Sequence, residues 1–326
     1  MPVLLSEQDV RIVLPMADLI EAMEAALARF SSNGVTQPLR TVIEVGLQKA
    51  FVGVMPAFID DPAMLGTKLV SVFGSNAAVG LPTHLATIVL LDPMTGELLA
   101  IMDGRYITEA RTAAVSAVSV KKLASENATR LAIIGTGVQA RSHVEAIAAV
   151  RHLHEIKVWS RSLDNRTAFA REMRPRTTAP ITIASSAQHA VEGADVIVLA
   201  TAAREPVVHT DWISDGAHVC AVGACRPDQR EMDSQLVARG RVFVDSRAGA
   251  LAEAGDIILA IKEGAIDELH VAGELGEVVL GTIAGRTSPD DVTIFKSLGM
   301  AVEDVAAAHL AYVKAAERGL GRGFVL

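Results

Sequence analysis

The clearest chemistry in this sequence is carried by Arg130-Leu-Ala-Ile-Ile-Gly-Thr-Gly-Val-Gln-Ala-Arg141. Gly135, Gly137 and Ala140 follow the G-x-G-x-x-G/A spacing of a dinucleotide turn, between an apolar run and an amphipathic helix. Gly135 permits a sharp turn out of the strand. Gly137 has no Cβ, so a pyrophosphate can approach the backbone. Ala140 is small enough to let the helix pack on a sheet. The helix start at Thr136, Val138 and Gln139 offers amides to the phosphates. The next strand ends at Trp159-Ser160-Arg161-Ser162, where NAD-binding folds place an acid on the ribose hydroxyls. No acid is present. Ser160 and Arg161, with Ser162 beside them, suit a 2′-phosphate, so the expected cofactor is NADPH, with NADH possible. Ala200, Thr201 and Ala202 end a later strand, where such a cofactor crosses the sheet edge.

A second set of residues is conspicuous because charge meets apolar surroundings. Lys68 lies inside the apolar strand Leu65–Val72, and a buried lysine is costly unless paired. Arg111 lies in an Ala-rich helix that should be largely buried. Arg40, on a half-exposed strand, reads equally as a surface charge. His84 begins a strand after Gly80-Leu-Pro-Thr and is either a structural histidine or a substrate contact. His143 reads as a surface or packing residue. Cys220 sits mid-strand and reads as core. Cys225 has no base beside it in sequence, which disfavours a nucleophile. Two cysteines exclude a disulfide framework, and no ligand spacing for a metal is visible.

The elements that must position these groups fall into two textures. Ser6 and Asp9 outline a capping box for a first helix, and Pro15 opens a second, through Phe30. Strands then follow at 40–45, 50–55, 65–72, 84–91 and 98–102, the last two joined by Asp92-Pro-Met-Thr-Gly96. Short connections imply an antiparallel sheet. A long helix spans about 106–124. From Arg130 strands and helices alternate, with strands at 131–134, 156–159, 181–184, 196–200, 218–222 and 242–244, as in a doubly wound parallel sheet. The stretch 264–285 reads as short helices and turns, 292–299 as a strand and loop, and 301–318 as a terminal helix returning to the first domain. The fold class is α/β: a Rossmann doubly wound sheet (121–299) plus an α+β substrate and dimerisation domain (1–120 and 300–326).

The 326 residues suit two domains with their own cores. A net charge of −8, without a basic block, argues against nucleic acid. No apolar run spans a membrane, and Met1-Pro-Val-Leu-Leu-Ser-Glu-Gln-Asp lacks the basic n-region and cleavage site of a signal peptide. A cytoplasmic protein is expected.

Several segments together resemble the ornithine cyclodeaminase/mu-crystallin family. They are Gln37-Pro-Leu-Arg40, Gly66-Thr-Lys68, Gly80-Leu-Pro-Thr-His84, Met102-Asp-Gly104, Arg111-Thr-Ala-Ala-Val-Ser-Ala117, Val222–Glu231 and Phe295–Asp304. The likeness spans essentially the whole chain and is closest to the mu-crystallin-like ketimine reductases. It implies a homodimer formed through the antiparallel sheets and a cleft between two domains. It also implies that Arg40, Lys68 and Arg111 clamp a substrate carboxylate, with His84, Cys225, Ser297 and Gly299 at the substrate. Thr112, Val222, Gly223 and Leu298 would join the cofactor residues. Asp103 and Glu231 could back the cationic clamp. Where ornithine cyclodeaminases and alanine dehydrogenase carry an Asp, this sequence has Cys225, which cannot pair with an ammonium.

The expected activity is therefore NADPH-dependent reduction of cyclic ketimine carboxylates, Δ1-pyrroline-2-carboxylate or Δ1-piperideine-2-carboxylate, to L-proline or L-pipecolate. Lys68 could also supply the imine proton. The alternatives are ornithine cyclodeamination or alanine-dehydrogenase-like deamination, which Cys225 opposes, and an NADP-dependent binding or crystallin-like structural protein, which the three cations oppose.

Overall fold

The computed structural model describes residues 1–46 and 50–325; Leu326, the last residue of the expected first domain, lies outside them. The chain divides into two compact units, Met1–Arg111 with Gly299–Leu326, and Thr112–Leu298.

The first unit opens with β1 (Val3–Leu5), α1 (Glu7–Val13) and α2 (Met16–Ser31). Ser6 caps α1 through Asp9 N at 3.2 Å, and the Asp9 carboxylate takes Ser6 N at 2.9 Å, so the capping box forms. α2 buries Leu19, Ile20, Met23 and Leu27 at helical spacing. Then come β2 (Val35–Thr36), β3 (Thr41–Val45), β4 (Ala50–Asp60), β5 (Ala63–Val72), β6 (His84–Leu91) and β7 (Leu98–Asp103). β4 is five residues longer than its sequence reading because its inward–outward alternation continues through Ile59. The β6–β7 turn is fastened by Asp92, whose Oδ1 accepts Met94 N and Thr95 N at 2.8 and 3.0 Å. α3 (Arg105–Leu123) follows, and the division between the units falls within it, at Arg111/Thr112.

The second unit alternates regularly. It runs β8 (Arg130–Ile134), α4 (Val138–Val150), β9 (Glu155–Trp159), α5 (Leu163–Met173), β10 (Ile181–Ile183), α6 (Ala187–Val191), β11 (Val196–Leu199), β12 (His218–Ala221), α7 (Ser234–Arg239), β13 (Arg241–Val244), α8 (Arg247–Glu253), α9 (Gly255–Lys262), β14 (Val271–Glu274), α10 (Leu275–Leu280) and β15 (Thr293–Lys296). The chain then returns to the first unit with α11 (Ala301–Glu317) and β16 (Arg322–Gly323).

The first unit's sheet has the order β16-β1-β7-β6-β5-β4-β2, with β3 also on β4. The strands expected between residues 40 and 102 pair antiparallel as read; the sheet's one parallel pair among the described residues is β1 with β7, and β1 is not among the strands read from the sequence. The short β1 had no alternation to reveal it. α11 lies against α2 and against β4, β5 and β6.

The second unit's sheet is parallel throughout, in the order β10-β9-β8-β11-β12-β15-β13-β14. Both faces are covered, so successive residues of β8 serve opposite cores: Leu131 and Ile133 on one side, Ala132 and Ile134 on the other. The chain moves outward from β8 to β10, then restarts on the other side at β11. That reversal makes the carboxyl ends of β8 and β11 the switch point where such sheets bind ligands. One sequence expectation changes here, and one of two alternatives is decided. Residues 264–285 contain a strand, β14, because Val271 and Gly273 are buried against β13. His143 is fully buried and is a packing residue, with Nε2 2.9 Å from Ser116 Oγ and Nδ1 2.7 Å from Gln139 O. Burial pushes its pKa down to about 4, so the ring is neutral. Cys220 is core, as expected. Among the described residues no helix is long and apolar enough to cross a membrane.

Candidate active site

In the first unit, three segments distant in sequence converge on one buried carboxylate. β5 is paired along its whole length, which sets Lys68 opposite Met55 and Ile88. Lys68 is only 2% exposed, and its Nζ lies 2.5 Å from Asp304 Oδ2. The other oxygen of Asp304 accepts from Arg111 Nε at 2.9 Å. Arg111 Nη1 donates to Glu303 Oε2 at 2.7 Å. Glu303 and Asp304 are fully buried in the first turn of α11, where the helix dipole favours anions. Gly299 stands at φ +81°, and a Cβ there would meet the Arg111 guanidinium at 2.4 Å. Arg40 Nη2 donates to Gly299 O at 3.3 Å, and Gln37 Oε1 accepts Val302 N at 2.8 Å. The structure thus gathers Arg40, Lys68, Arg111 and Gly299.

The electrostatics follow from burial. Desolvation pulls Lys68 down to about 8; Asp304 holds it up, while Arg111 and Arg40 push it down. Burial alone would raise Asp304, but Arg111 and Lys68 outweigh it and hold the carboxyl below its usual range. His84 belongs to the same neighbourhood. Burial first, then the charges of Lys68 and Arg111, lower it to about 4, so it is neutral at pH 7. Its Nε2 is buried without a hydrogen-bond partner among the described residues.

In the second unit, the loops after β8, β9, β11, β12 and β15 carry the other expected residues. Gly135 has φ +117°, and a Cβ there would meet Ala200 O at 2.3 Å. Gly137 caps α4 without a side-chain bond, and a Cβ on it would point into open space. The turn therefore needs glycine at 135 for its own geometry and leaves room at 137 for a ligand, which fits a dinucleotide. Arg141 Nη1 braces the turn through Thr136 O at 2.5 Å and Gly137 O at 3.1 Å. Thr136 Oγ1 lies 3.3 Å from Ser160 Oγ, and Ser160 Oγ donates to Ser162 O at 3.2 Å. Arg161 is exposed. Val138 is half exposed, Gln139 half-buried and Thr112 buried in α3. Ala202 is exposed beside Thr201.

Glu231 organises this end of the sheet. It is fully buried and accepts Thr201 N at 2.6 Å, Thr201 Oγ1 at 2.8 Å and Gly223 N at 2.7 Å. It therefore staples the loop after β11 to the loop after β12. Gly223 must be glycine, since a Cβ would sit 2.0 Å from Thr201 O. Behind Glu231, Asp256 Oδ1 accepts Glu231 N at 2.7 Å, and Asp256 Oδ2 pairs with the buried Lys296 at 3.1 Å. Burial raises Glu231 to about 7, with Lys296 opposing the rise and Asp256 adding to it. Each of the three bonds to its side chain is donated to Glu231, so the geometry is that of the carboxylate. Cys225 is half-buried with its thiol donating to Val222 O at 3.3 Å. Ser297 N donates to Ala221 O at 3.0 Å, and the Ser297 hydroxyl is buried without a partner among the described residues. Leu298 N donates to Asp245 Oδ2 at 2.6 Å.

The ornithine cyclodeaminase/mu-crystallin family pattern matches residues 1–319. The chain belongs to this family. It is 44% identical over 315 residues to the ketimine reductase mu-crystallin of Rattus norvegicus, covering 95% of this chain and 96% of that one. It is 36% identical over 318 residues to a Δ1-pyrroline-2-carboxylate reductase of Bacillus cereus, covering 97% and 98%. The solved structure of the Thermococcus litoralis Δ1-pyrroline-2-carboxylate reductase, in complex with NADH and L-proline, superposes with a TM-score of 0.96 at 42% identity, covering 99% and 100%.

Two acids singled out in the sequence have partners nearby. Asp103 and Glu231 each hold backbone amides of their own unit. Asp103 Oδ1 accepts Arg105 N and Tyr106 N at 3.1 and 3.2 Å, starting α3, and Glu231 is bonded to the strand-end loops described above. The acids that do meet Lys68 and Arg111, Glu303 and Asp304, were not singled out in the sequence. Their signal was two adjacent acids opening a helix whose neighbours are otherwise small and apolar. Lys296, an isolated cation in an apolar strand, signalled the second buried pair in the same way that Lys68 did.

The staple has a measurable consequence. Glu231→Gln puts an amide N–H against a backbone N–H, losing a charge-assisted bond worth about 1.5–3 kcal/mol. A melting temperature several degrees lower is expected; an unchanged one would show that Glu231 bears no load.

Proposed function

We propose that this chain is an NAD(P)H-dependent reductase of cyclic ketimine carboxylates, with Δ1-pyrroline-2-carboxylate and Δ1-piperideine-2-carboxylate as substrates. The observation that carries this reading is the buried Lys68–Asp304–Arg111 cluster with Arg40 beside it, in a chain 36–44% identical to named reductases of such imines. Arg40, Lys68 and Arg111 are three cations that can grip a planar carboxylate. In these substrates the imine nitrogen is bonded to the carbon that bears the carboxylate. A cation holding the carboxylate is therefore within reach of the nitrogen. Lys68 at a pKa of about 8 is mostly an ammonium at neutral pH, yet acid enough to release a proton. Its N–H bond breaks as the imine N–H bond forms, and the neutral amine is re-protonated by solvent. When bound, the reduced nicotinamide supplies the hydride that completes the C–H bond at the former imine carbon. His84 stays neutral and can share in holding the ring, and the buried Ser297 hydroxyl has bonding capacity left for a ligand. Cys225 offers a thiol, and no carboxylate, to a substrate ammonium, which favours an imine over an amine as the species taken up.

The turn at Gly135–Gln139, the strand ends at Ala200–Ala202 and Val222–Gly223, and Thr112 and Leu298 are the residues we assign to the dinucleotide. Exposed Arg161 with Ser160 and Ser162 assigns preference to NADPH, with NADH accepted more weakly. Cys220 and Cys225, which form no disulfide, suit the reducing cytoplasm. We further propose a homodimer through the first unit's sheet. β3 is exposed along its whole length, with Val42 49% and Ile43 56% accessible, and Leu69 and Leu85 are exposed on β5 and β6. A second copy of this chain would cover that apolar area.

Three measurements test this reading. Lys68→Met is expected to lower kcat for Δ1-pyrroline-2-carboxylate by about 10²–10⁴-fold, the range of a lost general acid; near-normal kcat with saturating imine would remove the proton-donor role. Arg161→Ala is expected to weaken NADPH binding about tenfold, one lost phosphate contact of about 1.4 kcal/mol, while NADH affinity stays put; equal loss for both cofactors would refute the phosphate contact. Ile43→Glu is expected to give monomers in light scattering, and a dimer unaffected by this charge would place the interface elsewhere.

A further inference from the structure

A site built to bind an anion gains nothing in affinity from a buried carboxylate, yet this cluster contains Asp304 at its centre. It is fully buried, touches Lys68 Nζ at 2.5 Å with one oxygen and Arg111 Nε at 2.9 Å with the other, and is rooted in the first turn of α11. It repels a substrate carboxylate and must be desolvated. Its presence needs another reason, and the proton balance of the site supplies one.

We propose that Asp304 is a positioning residue for imine reduction: by sharing one carboxylate between Lys68 and Arg111 it keeps Lys68 an ammonium at a fixed distance from the arginine, giving up carboxylate affinity to keep a proton donor charged. The inference rests on the reductase reading above and on Lys68 as donor. The groups that face Lys68 are Asp304 from α11, Arg111 from α3, Arg40 ahead of β3 and His84 at the start of β6; Met55 and Ile88 flank it in the sheet. His84 is neutral. Arg40 and Arg111 repel a proton on Lys68 and cannot give up their own. Burial repels it too. Asp304 is thus the group in contact with Lys68 that favours the charged form. Glu303, which bonds Arg111 at 2.7 Å, steadies a group that never deprotonates, so it does not answer the same need.

The sign of the effect is fixed. Reduction needs Lys68 protonated, so kcat falls as pH rises through its pKa in the loaded enzyme. Removing the negative charge lowers that pKa and moves the alkaline limb toward lower pH. The test is kcat at saturating Δ1-pyrroline-2-carboxylate and NADPH between pH 5.5 and 9.5 for the unaltered chain, Asp304→Asn and Asp304→Glu. Since the substrate is common, its own titration cancels between variants. The expected result for Asp304→Asn is a limb moved by one pH unit or more, with its deficit relative to the unaltered chain growing about fivefold or more between pH 6 and pH 8.5. Asp304→Glu, which keeps the charge, restores the limb. If Asp304→Asn does not fold, Asp304→Ser reads the same shift. A loss of equal size at every pH, with the limb unmoved, overturns the inference.

A binding measurement adds a readout independent of turnover. At pH 6, calorimetry with pyrrole-2-carboxylate, which has the carboxylate but no imine, is expected to give equal or tighter binding to Asp304→Asn, because a repelling charge is gone. Tenfold weaker binding would mean that Asp304 only holds the clamp together, against the inference. Absence of turnover by the unaltered chain would overturn the reductase reading and this inference with it, whereas turnover with an unmoved limb overturns this inference alone.

Discussion

The first unit depends on one constraint: two cations inside an apolar sheet-and-helix core cannot stand there without an anion. Lys68 is held in the middle of β5 by pairing along the strand's full length, and Arg111 by a helix that is buried on nearly every side. Neither can swing out to water. The compensating carboxylates come from α11, almost two hundred residues after Arg111. The return of the chain's end to the first unit is therefore an electrostatic requirement as well as a packing one. Breaking such an arrangement from one side leaves an uncompensated buried charge, which costs far more than the intact group contributes. This is why α11 carries two acids on what is otherwise a small-residue, apolar face.

The second unit solves a related problem with a different arrangement. A parallel sheet delivers its strand ends as separate loops, and a dinucleotide needs several of them in register. Glu231 ties the loop after β11 to the loop after β12, while Asp256 and Lys296 hold Glu231 from behind. Gly135 and Gly223 allow the backbones of adjacent strand ends to approach more closely than any side chain would permit. Buried networks of this kind rigidify only when every member is satisfied. Here the glycine positions and the carboxylate are one design: the first brings the loops close and the second keeps them there.

The two units divide the chemistry in a way that suits imine reduction. The first unit carries the buried cation–carboxylate cluster, the second the glycine turn that fits a dinucleotide. The family it belongs to includes reductases and deaminases on the same architecture, so specificity within it is decided by few side chains. On the reading proposed above, Cys225 in place of a carboxylate and a Lys68 ammonium kept charged by Asp304 both favour a substrate that arrives as an imine.

Much was legible in the sequence. The glycine turn, the alternation after Arg130, the capping box at Ser6 and the strand run before residue 105 are local signals, since each depends on neighbours a few residues away. Lys68 and Arg111 announced themselves as charges in apolar company, but the sequence could say only that they needed partners. Which partners was decided by tertiary structure: register put Lys68 under α11, and α11's first turn put Asp304 between the two cations. Asp103 and Glu231 were plausible partners by sequence and went elsewhere, one to a helix start and one to a loop staple, because backbone amides close by in the fold claimed them first. β1 and β14 were too short to show a period. The chain's residues fixed where charge must be buried; only folding, by bringing the two ends of the chain together, determined what would neutralise it.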